Sequence, residues 1–161
     1  MMTVPFEKRV CESHTEQVQI LSQSTLNGYK RLFGGKLMEW IDIVAAVTAR
    51  RHAGCNVTTA AVDSLEFKEA AYANDTLVLI GEVSYVGRTS MEITVKTYVE
   101  ALSGKRRLIN EAYLIMVALD ENERPTPVPS LILETDEERQ RFSEGKARAE
   151  QRKARSKRTT S

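Results

Sequence analysis

Asp42 is the residue in this chain whose surroundings point most directly to chemistry. It stands mid-run in LMEWIDIVAAV, with Met38, Glu39, Ala45 and Ala46 at the three- and four-residue spacings that lie beside it on a helix, and none of them neutralises its charge. An unpaired carboxylate in apolar surroundings is costly unless distant groups solvate it. Two readings stand: a general base or nucleophile, or an aspartate that faces a solvent cleft or caps another element. Phe33-Gly34-Gly35 comes directly before the same run. Glycines there let a ligand approach the backbone and leave the N–H groups of a helix start open to a negative oxygen, although a steric need for glycine gives the same pattern. Asn27-Gly28 is either a simple turn or a carboxamide aimed at a carbonyl or a water. Thr59 and Ser64 are hydroxyls in strand-like sequence, where threonine is favoured in its own right. Arg88, Thr89 and Ser90 follow Gly87 in a short loop with one cation and two hydroxyls, a composition that suits a phosphate and equally a solvated turn.

Other chemistries find no support. His14 and His52 have no metal-ligand spacing with each other or with Cys11 and Cys55, and no G-x-S-x-G, phosphate-loop or G-x-G-x-x-G pattern occurs. No metal and no cofactor is therefore expected. The two cysteines form no CxxC pair and the start MMTVPFEKRV is not signal-like, which points to a reducing, cytoplasmic setting. No apolar run approaches the length of a membrane span.

The elements that must hold these residues follow from periodicity. Leu37, Ile41, Val44 and Thr48 recur at helical spacing and Gly54 stops the run, which predicts a helix over Gly35–His52. Met38, Trp40, Ala45, Ala46 and Ala49 spread apolar groups around its circumference, so burial on nearly every side is expected. Before it, Glu16–Gln23 reads as an edge strand followed by a loop. After it the period drops towards two, with strands expected over Val57–Phe67, Leu77–Val86, Met91–Val99 and Leu108–Leu119. The last is apolar at nearly every position and should lie centrally or at a subunit contact. Tight links at VGRTS and SGKR make the sheet largely an antiparallel meander, and one long helix ahead of four strands is an α+β layout.

At 161 residues the chain suits one core, and a formal charge of +1 supplies no global field for nucleic acid or a membrane. The average conceals a basic tail: Phe142–Ser161 holds 7 basic and 2 acidic residues, against 16 and 20 in the rest. Prolines at 125, 127 and 129 mark an extended exit from the sheet, so the domain is expected to span 1–133 and a charged helix and tail 134–161. Thr135 and Glu138 form a capping box, and Glu137/Arg141 and Glu144/Arg148 are i,i+4 pairs on a helix that should lie on the surface or fray. The tail lacks aromatic side chains for stacking on bases, which makes nucleic-acid binding a poor expectation.

The segments LFGGKLMEWIDIVAA, TTAAVDSLEFKEAA, VSYVGRTSMEI and PTPVPSL, in that order, resemble the acyl-CoA thioesterases of the hotdog fold, specifically the cytosolic acyl-CoA hydrolase group. The resemblance runs from about Ser22 to Arg155. It implies a curved antiparallel sheet wrapped around one long helix, domains paired sheet to sheet, and a homo-hexamer built as a trimer of dimers with active sites at subunit contacts. By position, Asp42 matches the family's catalytic carboxylate, Asn27 its loop asparagine, Gly35 its backbone oxyanion donor beside Gly34, and Thr59 a polar strand residue facing the site. The asparagine and aspartate of one site are expected from opposite subunits. Arg88, Thr89 and Ser90 match a loop near the pantetheine and phosphates of coenzyme A, and Lys68 a phosphate contact. Two segments depart from the pattern: Ser24-Thr25-Leu26 lacks the histidine often found before the asparagine and Lys30 stands in a usual glycine place, and Lys68-Glu69 replaces a usual Lys-Pro.

The resemblance thus implies hydrolysis of fatty acyl-CoA to a free acid and coenzyme A, the acyl chain lying in an apolar slot near Met38 and Trp40. A non-catalytic acyl-CoA-binding sensor on the same fold is the alternative.

Overall fold

The computed structural model describes residues 6–159. Leu37, Ile41, Val44, Ala45, Thr48, Ala49 and His52 form one buried stripe along helix α1 (Gly34–Ala53), one residue longer at each end than the spacing predicts. Gly54 ends it at φ 70°, a left-handed position that glycine takes without a Cβ clash, and its N–H donates to Arg50 O over 2.8 Å. Arg50, Arg51 and His52 in the last turn oppose the negative end of the helix dipole.

The sequence expectation of burial all round fails within one chain. Glu39, Asp42 and Ile43 are exposed, Ile43 to 47%, and Met38 and Trp40 are only half-buried. Apolar composition marks a side chain that gains from cover, but the cover here is not supplied by the chain itself.

Short β1 (Glu7–Arg9) precedes β2 (Thr15–Ile20). Beyond α1 come β3 (Asn56–Phe67), β4 (Thr76–Val86), β5 (Ser90–Glu100) and β6 (Arg106–Leu119), in the order β2-β4-β5-β6-β3 with every pairing antiparallel. The meander holds from β4 to β6. The exception is β3, which lies beside β6 at the far edge, so the chain crosses the sheet end between Phe67 and Thr76. As expected, β6 is interior, between β5 and β3, and β2 is an edge.

The sheet curls around α1, which touches all five strands. Register shifts at Thr59/Ala61 and Val62/Ser64 bend β3, as bulges do. Closest approach is at Gly81 of β4, where a Cβ would lie 2.5 Å from Thr48 Oγ1 and 2.8 Å from Val44 Cγ1; glycine is what lets helix and sheet meet.

The proline-rich exit runs to β7 (Ser130–Ile132), parallel to β1. Buried His52 reaches it, with Nε2 2.8 Å from Pro129 O. Burial holds the His52 pKa below its ordinary value, so the neutral ring donates from Nε2.

Helix α2 (Asp136–Thr159) then lies on the face of the sheet opposite α1. Thr135 Oγ1 accepts the Glu138 N–H at 3.0 Å, the first half of the expected capping box. The expected pairs within the helix are replaced by pairs to the sheet. Arg141 meets Glu82 at 3.2 Å, and Arg148 clasps Glu92 with two hydrogen bonds of 2.9 and 2.8 Å. Arg152 meets Asp63 at 2.9 Å, Arg148 lies 3.8 Å over the Tyr113 ring, and Phe142 packs on Tyr85. Glu92 is only 1% exposed, and a carboxylate that deep holds its charge only beside such partners. Three basic residues of the tail, Arg148, Arg152 and Arg155, pair with acids of the sheet, and the helix is tied down rather than fraying. No helix among the described residues is long and apolar enough to cross a membrane.

Candidate active site

Two loops converge at the start of α1. The chain from Ser22 is pinned at several points: Leu26 and Leu32 pair, Leu32 N–H donates to Ala71 O at 2.8 Å, and Phe33 N–H to Thr25 O at 2.8 Å. Within this loop Asn27 Oδ1 accepts from Tyr29 N–H at 2.9 Å and Arg31 N–H at 3.2 Å, an Asx turn that holds the carboxamide oxygen. Lys30 closes the turn at φ 60°, so it adopts the left-handed backbone of the glycine it stands in place of.

Helix α1 begins without a side-chain cap and without an acidic residue in its first turn. Phe33 O accepts from Lys36 and Leu37 N–H, while among the described residues neither Gly34 nor Gly35 N–H donates to a backbone carbonyl. Those two amides sit at the positive end of the helix dipole, the arrangement that holds a developing oxyanion.

Beside them opens a cavity of about 460 Å³, lined by Asn27, Leu32, Gly34, Leu37, Phe67, Lys68 and Ile109 among others. Asn27, Gly34 and Lys68, three positions singled out from the sequence, therefore share one cavity. Lys68 Nζ is 3.7 Å from Glu66 and still partly exposed. Phe67, Leu32 and Ile109 are additions that the sequence did not single out; a phenylalanine ending β3 next to Lys68 was the available signal. Met38 and Trp40, expected along the acyl slot, do not line it.

Asp42 lies elsewhere. Eight residues beyond Gly34, it is about 12 Å along the helix, outside the cavity lining, on the exposed face of α1. Its Oδ1 accepts from Thr59 Oγ1 at 2.8 Å, and Thr59 Oγ1 also lies 3.4 Å from Met116 Sδ. Among the described residues no cation forms an ion pair with Asp42. The aspartate and threonine matched independently from the sequence are thus in direct contact, while the apolar entombment expected of Asp42 is absent in a single chain.

Arg88, Thr89 and Ser90 form a third group. Ser90 pairs with Val117 near the end of β6, whereas Phe67 at the cavity pairs with Asn110, so the loop is at the other end of the sheet. Its backbone is held by Val128 N–H to Arg88 O at 2.9 Å and Ala118 N–H to Thr89 O at 3.0 Å. One chain does not bring the three groups together. They border a face with an unpaired strand edge on β3 and exposed apolar side chains, Ile43, Val62 and Phe67, which in isolation is an incomplete surface.

Comparison with known proteins gives this surface a context. Residues 29–102 match the family model described as Thioesterase superfamily. The chain is 38% identical over 151 residues to the uncharacterized acyl-CoA thioester hydrolase YkhA of Bacillus subtilis, covering 92% of this chain and 88% of that protein. It is 35% identical over 136 residues to the cytosolic acyl coenzyme A thioester hydrolase of Homo sapiens, covering 83% of this chain and 35% of that longer protein. Among solved structures, an apo-hexameric acyl-CoA thioesterase superposes with a TM-score of 0.89 at 40% identity, covering 93% of this chain and 97% of that one. An acyl-CoA hydrolase from Staphylococcus aureus, in complex with butyryl coenzyme A, coenzyme A and coenzyme A disulfide, superposes with a TM-score of 0.90 at 35% identity, covering 96% and 94%. With this sheet, this central helix and these similarities, the chain belongs to the hotdog-fold acyl-CoA thioesterase family.

Proposed function

We propose that this protein hydrolyses acyl-CoA thioesters to a free carboxylic acid and coenzyme A. The observation that carries the reading is the Asp42 carboxylate, oriented by Thr59 at 2.8 Å and in no ion pair among the described residues, on a helix whose first amides are uncapped. The thioester oxygen sits on the Gly35 N–H with Gly34 beside it, where a donor fixed in advance stabilises the charge that develops. Asp42 takes a proton from water, hydroxide adds to the carbonyl carbon, and the tetrahedral oxyanion collapses by expelling the coenzyme A thiolate, which takes up the proton. In the other route Asp42 attacks directly, giving a mixed anhydride and thiolate, and water then cleaves the anhydride. Asn27 orients the water or the carbonyl through the amide nitrogen that its Asx turn leaves unengaged by Tyr29 and Arg31.

The site is completed by other copies of the chain. Asn27 and the Gly34-Gly35 amides face Asp42 and Thr59 of the opposite protomer once β3 edges pair, and a trimer of such dimers brings the Arg88, Thr89 and Ser90 loop, with Lys68, to the coenzyme A phosphates. The 12 Å separation within one chain, the open β3 edge and the hexameric relative support this arrangement. The setting is cytoplasmic, in keeping with Cys11 and Cys55 both being free.

Single turnover in ¹⁸O-water separates the two routes. Label recovered in Asp42 establishes direct attack, and its absence the general-base route. If purified protein hydrolyses no acyl-CoA from short to long chain, the reading is wrong, and retained binding by Asp42→Asn would then favour a sensor.

A further inference from the structure

Asn110 interrupts the apolar run of β6 and is 0% exposed. Its side-chain N–H donates to Glu66 O on β3 at 2.8 Å, while its Oδ1 has no hydrogen-bond partner among the described residues. Thr97, opposite it on β5 and equally buried, also has an unpartnered hydroxyl. A buried oxygen without a partner costs stability, so polar side chains at these two places are not explained by the core alone. The strands also lose step here. Thr97 pairs with Asn110 but Tyr98 pairs with Leu108, so Ile109 is an extra residue, as in a bulge. Its carbonyl accepts the N–H groups of Lys68 at 2.8 Å and Glu69 at 3.5 Å, just past the end of β3. Ile109, Phe67, Lys68 and Glu69 all line the cavity beside Gly34.

We propose that Asn110 is a positioning residue for the coenzyme A part of the substrate. It clamps the end of β3: Asn110 holds the Glu66 carbonyl, the Ile109 bulge holds the Lys68 and Glu69 amides, and Phe67 between them pairs with Asn110 itself. Glu66 is also the partner of Lys68, whose Nζ lies 3.7 Å from its carboxylate, so fixing Glu66 fixes that pair as well. The clamp matters because β3 is an edge strand, and the end of an edge strand is where a sheet opens first. An open end would spread Phe67 and Lys68 over many positions, and the cost of ordering them would fall on substrate binding. Asp42 and Gly35 stand on α1, outside the clamp, so the effect belongs to KM and not to kcat. The inference rests on the hydrolase reading above, since it assigns a role within that site.

The test uses the full chain. Asn110→Leu removes the bond to Glu66 and the unpartnered oxygen together, so its Tm is expected to equal or exceed that of wild type. In the same variant the Lys68 and Glu69 amides should exchange with deuterium about tenfold faster, and KM for butyryl-CoA should rise about tenfold with kcat within about twofold. The calorimetric Kd for free coenzyme A rises in parallel. Thr97→Val removes the other unpartnered oxygen without touching β3, and its exchange, KM and Kd stay at wild-type values. Where Asn110→Leu does not fold, Asn110→Val makes the same comparison. Unchanged exchange at Lys68 and Glu69, unchanged KM and Kd, a loss confined to kcat, or an equal rise of KM in Thr97→Val overturns the proposal. A wild type that neither turns over acyl-CoA nor binds coenzyme A overturns the hydrolase reading and this inference together, whereas an active wild type with unaltered Asn110→Leu kinetics overturns this inference alone.

Discussion

Thr59 on β3 donates its hydroxyl to Asp42 on α1 across 2.8 Å, joining helix to edge strand at a carboxylate with which no cation among the described residues forms an ion pair. The bond fixes which oxygen of Asp42 is engaged and leaves the other available. Asp42→Asn is expected to abolish turnover while preserving acyl-CoA binding. Thr59→Ala removes a hydrogen bond to a charged group, about 1.5 to 3 kcal/mol, which as a barrier change is roughly ten- to a hundredfold in kcat. Thr59→Ser should recover most of it. Steady-state kinetics beside a direct binding measurement checks all three.

Assembly and activity should fail together. Val62 on the open β3 edge is 42% exposed, and Val62→Lys puts a charge on each side of any contact formed between two such edges. The variant is expected to sediment as a smaller species than wild type and to lose thioester hydrolysis, with its circular dichroism unchanged. A monomeric protein with full activity would falsify the shared-site arrangement.

Helix α2 is expected to be indispensable to stability. Arg148→Met leaves Glu92 beneath the helix with only Arg152, 3.8 Å away, and the Ser84 hydroxyl at 2.6 Å, so the loss is expected at the lower end of the about 3 to 5 kcal/mol of breaking one partner of a buried pair. Adding Glu92→Gln should recover a large part, because the amide carries no charge to compensate. Urea midpoints of the single and double variants give the comparison. Equal midpoints for wild type and Arg148→Met would mean that Glu92 does not depend on Arg148.

His52 supplies a pH dependence whose sign follows from its burial. The folded-state pKa is depressed, chiefly by desolvation, so between that value and the unfolded one near 6.5 the unfolded chain binds more protons. Stability attributable to His52 is therefore complete above the unfolded pKa and is lost as pH falls below it, with a slope of at most about 1.4 kcal/mol per pH unit. His52→Gln keeps a donor for Pro129 O without a titrating ring. Its unfolding midpoint should vary less than that of wild type between pH 7.5 and 5.5, and an equal variation would remove His52 as the cause.

Much of the layout is written in local patterns. The 3.6-residue spacing of Leu37, Ile41, Val44 and Thr48 determines α1, because only a helix places those side chains on one stripe, and Gly54 ends it because no residue with a Cβ takes φ 70° as readily. The continuous apolar run of β6 determines an interior strand, whereas the alternating polar residues of β5, which read as one wet face, are not solvated: Glu92 and Thr94 are buried, with Arg148 of α2 over Glu92. The contact between Asp42 and Thr59, by contrast, depends on how β3 crosses to the far side of β6, which no local period encodes. Tertiary structure likewise decided the partners of Arg141 and Arg148: the helix alone offers Glu137 and Glu144, but the sheet sets Glu82 and the buried Glu92 against these guanidinium groups, and a clasp on a carboxylate as buried as Glu92 gains more than one on a solvated surface. It decided too that Asp42 is open in one chain, since the apolar face around it finds no cover in its own fold and composition cannot say whether cover comes from the same chain or another.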